Sequence, residues 1–123
     1  MPVTERSRFG TLAEKYASEF LKARNYTILA VNYRKPWGEI DIIAQKEGVL
    51  VFAEVKANSR EMAGFEPELR VNRKKLKRII RAARTYIDEK RHQDKEWQID
   101  IISITIDRLR NAAKITHFKN VEV

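Results

Sequence analysis

The chain contains no cysteine. That excludes a disulfide framework, a zinc–thiolate centre and a cysteine nucleophile. Histidine is almost as scarce, with two in 123 residues, which argues against a histidine-rich metal site. His92 and His117 stand alone in polar surroundings and read as surface side chains. The opening segment MPVTERSRFG has no apolar core of the kind a secretion signal needs. Nowhere is an apolar run long enough to span a bilayer. The expectation is a cytoplasmic protein with no membrane partner. There is no internal repeat and no low-complexity segment.

What is present suits one domain over residues 1–123, with 43% hydrophobic residues to build a core. Charged residues make up 34%, with 25 Lys and Arg against 17 Asp and Glu, for a net charge of +8 and a pI near 9.9. Such a surplus favours a polyanionic partner, most often nucleic acid. A generic basic protein would show the same surplus, so placement of the charges has to decide.

The informative stretch is Gly38 to Lys56, GEIDIIAQKEGVLVFAEVK. Both halves read as strands, and Lys46-Glu47-Gly48 between them reads as a tight turn. With Glu47-Gly48 as a two-residue loop, Lys46 faces Val49, Gln45 faces Leu50 and Ile43 faces Phe52. The same count puts Asp41 opposite Glu54 and Glu39 opposite Lys56. Two carboxylates facing each other repel, and burial worsens the repulsion. A divalent cation is the simplest compensation, since Mg²⁺ takes one or two carboxylates plus waters and phosphate oxygens. Lys56, two residues beyond Glu54, points to the same side, where it can hold a water or steady phosphate charge. The competing reading is a surface hairpin with ordinary charge pairs. Against it, Ile43, Leu50 and Phe52 on that face are apolar, and the charges gather at one end.

Around this hairpin the chain reads in order. Residues 1–10 form a basic arm, expected to be flexible. A helix runs roughly from Thr11 to Arg24, with Leu12, Ala13, Tyr16, Ala17, Phe20 and Leu21 as its apolar stripe. Thr11-x-x-Glu14 matches a capping box, which gives Glu14 a local role. Tyr26 to Tyr33 is the first strand, and Arg34 to Gly38 a turn whose Arg34 and Lys35 are placed to meet phosphates. Residues 57–71 lack periodicity and read as a mobile loop. From Asn72 a second helix runs to about Glu89 or Arg91 on a stripe of Leu76, Ile79, Ile80, Ala83 and Ile87. Arg73, Lys74, Lys75, Lys77 and Arg78 cover the rest of its first turns. Cations there oppose the helix dipole, at ~0.3–1 kcal/mol each when exposed, and neutralising phosphate explains them. Trp97 to Ile106 is a central strand with Asp100 as its one charge, read as structural. Ala112 to Phe118 closes the sheet. The order is α-β-β-β-α-β-β, an α/β sandwich on a mixed sheet of about five strands.

Asp41, followed on the next strand by Glu54-Val55-Lys56, resembles the signature of the restriction-endonuclease-like superfamily, the PD-(D/E)xK nucleases. Ile40 stands where that motif expects proline. More closely, the chain resembles the YraN-like family of predicted endonucleases, related to archaeal Holliday-junction resolvases. The resemblance runs from Gly10 and Ala13-Glu14 through Asn32-Tyr33-Arg34 and Gly38-Glu39-Ile40-Asp41. It continues through Val51 to Lys56, Asn72 to Leu76 and Ile99-Asp100. It implies a three-layer restriction-endonuclease-like sandwich, with Asp41 and Glu54 as ligands of Mg²⁺ or Mn²⁺ and Lys56 as the catalytic lysine. Glu14 matches an acidic residue that resolvase-like members bring to the site from the first helix.

Three functions fit. The first is a metal-dependent DNA endonuclease acting on branched or junction DNA, a substrate that would suit a homodimer. The second is a catalytically silent nucleic-acid-binding module with the same fold, and the third a protein-partner adaptor.

Overall fold

The computed structural model describes residues 5–59 and 73–121. Two helices, α1 (Glu5–Ala23) and α2 (Arg73–Glu89), accompany five strands. These are β1 (Thr27–Lys35), β2 (Gly38–Lys46), β3 (Val49–Ser59), β4 (Trp97–Asp107) and β5 (Ala112–Phe118). The strands form one sheet in chain order. Every neighbouring pair is antiparallel except β3 and β4, which are parallel and joined across α2. The expected element order and mixed sheet are therefore found.

Each helix covers one face. Ala13, Ala17 and Leu21 of α1 pack on Ile42, Ala44, Val51, Ala53, Ile102 and Ile104. Ile79, Ala82, Ala83, Tyr86 and Ile87 of α2 pack on Ile43, Leu50, Phe52 and Ile99 on the opposite face. The small alanines on both helices let their backbones come close to the sheet. Phe52 is fully buried and meets Tyr86 and Trp97 edge-on, at 6.0 and 5.8 Å between ring centres. Burying such a side chain contributes ~1.5–3 kcal/mol, so this trio is a main anchor of α2. Tyr86 lies outside the helix stripe expected from the sequence.

Both helices end as their sequences suggest. Asn25 takes a positive φ of 69°, while Tyr26 N donates to Leu21 O and Asn25 N to Lys22 O. This is a Schellman stop, which tolerates asparagine. Arg91, at φ 55°, closes α2 in the same way, with His92 N bonded to Ile87 O at 2.9 Å.

Several expected boundaries move. Helix α1 begins at Glu5, so residues 5–10 belong to the helix rather than to an arm. Thr11 is then interior to α1, and the capping box with Glu14 does not form. Strand β1 extends to Lys35, which leaves Pro36-Trp37 as the turn. Strand β3 continues to Ser59, paired along β4 as far as Ile106. Residues 57–59 are thus strand, and the remainder of the expected loop lies outside the described residues, as do residues 1–4 of the arm.

Candidate functional site

The hairpin between β2 and β3 sets the site. Glu47 and Gly48 both have positive φ, 51° and 80°, the pattern of a two-residue type I′ turn. Lys46 pairs with Val49, Gln45 with Leu50, Ile43 with Phe52 and Ile42 with Ala53. The register is the one expected, but the ladder ends there. At the next step Asp41 turns its carboxylate into the sheet, and its Oδ2 accepts the Val55 amide proton at 2.8 Å. Asp41 and Glu54 still meet, close enough for each carboxyl group to act on the other. They do so through a break in the ladder rather than as a paired rung.

The opposite strand bends at the same level. Asn32 lies between the pairs Val31–Ile42 and Tyr33–Ile40, beside Asp41, and has a positive φ of 51°. Its Nδ2 donates to Glu14 Oε2 of α1 at 3.0 Å. Asn32 therefore connects the first helix to the break around Asp41. A lone asparagine inside the β-forming run YTILAVNY, where it is a poor strand former that tolerates left-handed backbone, is the sequence signal for it.

Glu54 is buried, at 6% exposure. Its Oε1 is ion-paired with Lys75 Nζ from the first turn of α2, whose side chain is 49% exposed. A buried carboxylate needs such a partner. The first-turn lysine expected to grip phosphate is instead held at the carboxylate pair. Lys56 lies two residues along β3 from Glu54, opposite Ser103 of β4, half-buried and on the same face.

Gly38 explains how α2 comes so close. A Cβ on Gly38 would lie 2.2 Å from the Arg78 carbonyl oxygen. Only glycine permits that approach, and Lys75 sits one turn before Arg78. Glu39, Lys74, Lys75, Arg78 and Ile79 line a cavity of about 440 Å³, which Lys75 joins to Glu54.

The electrostatics agree with this arrangement. Burial and the Glu54 carboxyl push the Asp41 carboxyl up to about 7, against the opposing pull of the Val55 amide and Lys75. Burial also raises Glu14, with the Asn32 hydrogen bond opposing and the Asp41 charge adding to it. For Lys75, burial acts downward, but the hydrogen bond and charge of Glu54 outweigh it and raise the ammonium above its usual value.

Lys35 donates to Glu89 Oε2 at 2.9 Å, and Tyr33 Oη also donates to Glu89, so Lys35 is held at the far end of α2. Arg34 is exposed and pairs with Glu39 across β1 and β2, 3.5 Å apart. Glu39 thus faces Arg34 in the ladder. Arg73, Lys74, Lys77 and Arg78 are exposed on α2. Trp37 packs on α2, donating to Thr85 Oγ1 at 3.1 Å, with Arg81 over its ring. His117 is not a surface residue. Its side chain is 6% exposed and its Nε2 lies 2.7 Å from Asp100 Oδ2, while Asp100 also accepts from Gln98 and the Asn120 amide. Asp100 is fully buried and fully partnered, which fits a structural role.

Asp41 and Glu54 are the side chains here that could hold a hard divalent cation. All donors are carboxylate oxygens, two of them adjacent, and one is already neutralised by an ammonium. Among the described residues no three His, Asp or Glu side chains converge on one point. That is compatible with Mg²⁺, which keeps waters and takes phosphate oxygens.

A model of the family described as "Uncharacterised protein family UPF0102" matches residues 13–104. The chain belongs to the UPF0102 family. The matched span contains Glu14, Asp41, Glu54, Lys56 and Lys75. A UPF0102 protein of Pseudothermotoga lettingae is 39% identical over 111 residues, covering 90% of this chain and 95% of the relative. One from Kosmotoga olearia is 42% identical over 108 residues, covering 88% and 87%. UPF0102 is the family to which the YraN-like resemblance pointed. No described helix is long and apolar enough to cross a membrane.

Proposed function

We propose that this UPF0102 protein is a metal-dependent DNA endonuclease of the restriction-endonuclease-like, PD-(D/E)xK kind. The observation that carries the reading is the meeting of Asp41 with Glu54 at a break in the β2–β3 ladder. Lys56 lies on the face of Glu54, and Lys75 joins Glu54 to a cation-rich cavity. Asp41 and Glu54 would hold Mg²⁺ or Mn²⁺; bound there, the ion supplies positive charge to a phosphate and acidifies a water.

The chain's own groups divide the remaining work. Lys56 orients the attacking water and steadies charge on the phosphate. In the hydrolysis the water oxygen bonds to phosphorus and one P–O ester bond breaks. The proton lost by the water is matched by one gained on the leaving oxygen. Glu14, tied to the break through Asn32, brings a third carboxylate near Asp41, where it would reach the ion through a water. Lys74, Lys77 and Arg78, exposed on α2, neutralise flanking phosphates. Such contacts position DNA without reading bases, which favours a branched or junction substrate, one that two copies of the chain would suit.

The ion pair on Glu54 and the lack of a third converging carboxylate among the described residues favour a second reading, a nucleic-acid-binding module without catalysis. Cleavage of labelled four-way-junction, flap, single-stranded and duplex DNA with Mg²⁺, Mn²⁺ or EDTA separates the two. The expected result is metal-dependent cutting that Glu54→Gln and Lys56→Ala each abolish while junction binding persists. Tight binding without cutting in any metal would leave only the binding module.

A further inference from the structure

We infer that Lys75 is a resident counter-cation of the carboxylate pair, holding Glu54 until a divalent cation takes that carboxylate and then passing to a substrate phosphate. The inference rests on the proposed metal site and adds a residue that the nuclease signature does not contain.

Four observations converge on it. Glu54 is buried, and a buried carboxylate without a partner is costly. Its ion-pair partner comes from a different layer of the fold. Second, Lys75 sits in the first turn of α2, where no acidic residue balances the helix dipole and a cation is disfavoured. Helix stability does not explain its position; Glu54 does. Third, the side chain is half exposed and also lines the cavity with Lys74 and Arg78. A change of side-chain rotamer carries its ammonium from carboxylate to cavity with α2 in place. Fourth, Gly38 fixes the approach of α2 at Arg78, so the distance the lysine spans is set by backbone packing.

The chemistry makes the two occupants exclusive. An ammonium and a divalent cation on the same carboxylate repel each other, and Glu54 gains more from the doubly charged ion. The released ammonium then meets Glu39 as the single acid, among the described residues, beside Lys74 and Arg78 in the cavity, a setting that favours an incoming phosphate. Metal binding and DNA binding become coupled through one side chain, each strengthening the other.

The test needs no turnover. Mn²⁺ is titrated into the DNA-free protein at pH 8.5, and free Mn²⁺ is followed by its paramagnetic resonance signal. Wild type is compared with Lys75→Gln, Lys75→Arg, Lys74→Gln and Glu54→Gln. Lys75→Gln is expected to bind Mn²⁺ about fivefold more tightly, because a competing charged contact is removed. Lys74→Gln, which removes the same charge from the same turn, shifts affinity less than about twofold. Lys75→Arg stays near wild type, and Glu54→Gln loses the site. Unchanged or weaker Mn²⁺ binding by Lys75→Gln, with wild type still dependent on Glu54, overturns the inference and leaves the proposed function standing. Absence of any Glu54-dependent Mn²⁺ binding in wild type overturns both. A second readout uses junction DNA in the Lys56→Ala background. Lys75→Gln should weaken binding with Mg²⁺ and change it little in EDTA; an equal loss in both conditions contradicts the exchange.

Discussion

Gly38 and Arg78 touch through backbone alone: a methyl group on Gly38 would sit 2.2 Å from the Arg78 carbonyl oxygen. No side-chain rotation relieves such a contact, so Gly38→Ala must push α2 away from β2. Overpacking of this kind costs ~1–3 kcal/mol. The expected outcome is a fall in melting temperature of roughly 3–10 °C, with DNA binding weakened as well, because Lys75 and Arg78 retreat from the site. Thermal unfolding and junction binding of Gly38→Ala check this together. A variant that melts like wild type would mean that α2 does not press on the turn.

Asp41 gives the metal-free protein a pH dependence whose sign follows from its environment. Its carboxyl is raised from 3.8 to about 7 by burial and by Glu54. The folded chain therefore binds this proton more tightly than the unfolded chain does. The resulting stability is fully present below pH ~4 and is lost as pH rises through ~7. Asp41→Asn keeps an oxygen for the Val55 amide and removes the titration. In EDTA, the melting temperature of the variant relative to wild type should rise between pH 5 and pH 8.5. Parallel melting profiles across that range would rule out the raised carboxyl.

The hairpin is legible in the sequence because its signals are local. The Glu47-Gly48 loop sets the register, and alternation along β2 and β3 then assigns the faces. Counting brings Asp41 and Glu54 together. It does not reveal the break that joins them, because the break depends on Asn32 of β1 and the Val55 amide, one on each neighbouring strand. In the sequence Lys75 is only one cation in a basic run. Its pairing with Glu54 requires knowing which face of α2 meets β3, and the close approach at Gly38 that allows it is a property of the packed fold. His117 misleads for a similar reason. Lys114, Thr116 and Lys119 give it a polar look in the sequence, but Phe20 and Tyr26 flank its ring and Asp100 of β4 meets its Nε2. The start of α1 is obscured because the Thr11-x-x-Glu14 pattern imitates a cap inside a longer helix.

The basic residues are not equivalent, and salt dependence can sort them. Lys77 and Arg78 are exposed on α2, and Arg78 lines the cavity that Lys75 joins to Glu54. Lys35 is engaged by Glu89 beside Tyr33, away from that cavity. Each phosphate that the protein no longer neutralises should lower the slope of log affinity against log salt by ~0.7–0.9. Lys77→Ala and Arg78→Ala are expected to weaken junction binding and to reduce the slope by about one phosphate each. Lys35→Ala should leave the slope unchanged, because its ammonium neutralises a carboxylate rather than a phosphate. Binding isotherms between 50 and 300 mM KCl distinguish the cases. If Lys35→Ala reduced the slope as much as Arg78→Ala, the DNA path would have to cross the far end of α2, and the cavity joined to Glu54 would no longer mark where phosphates lie.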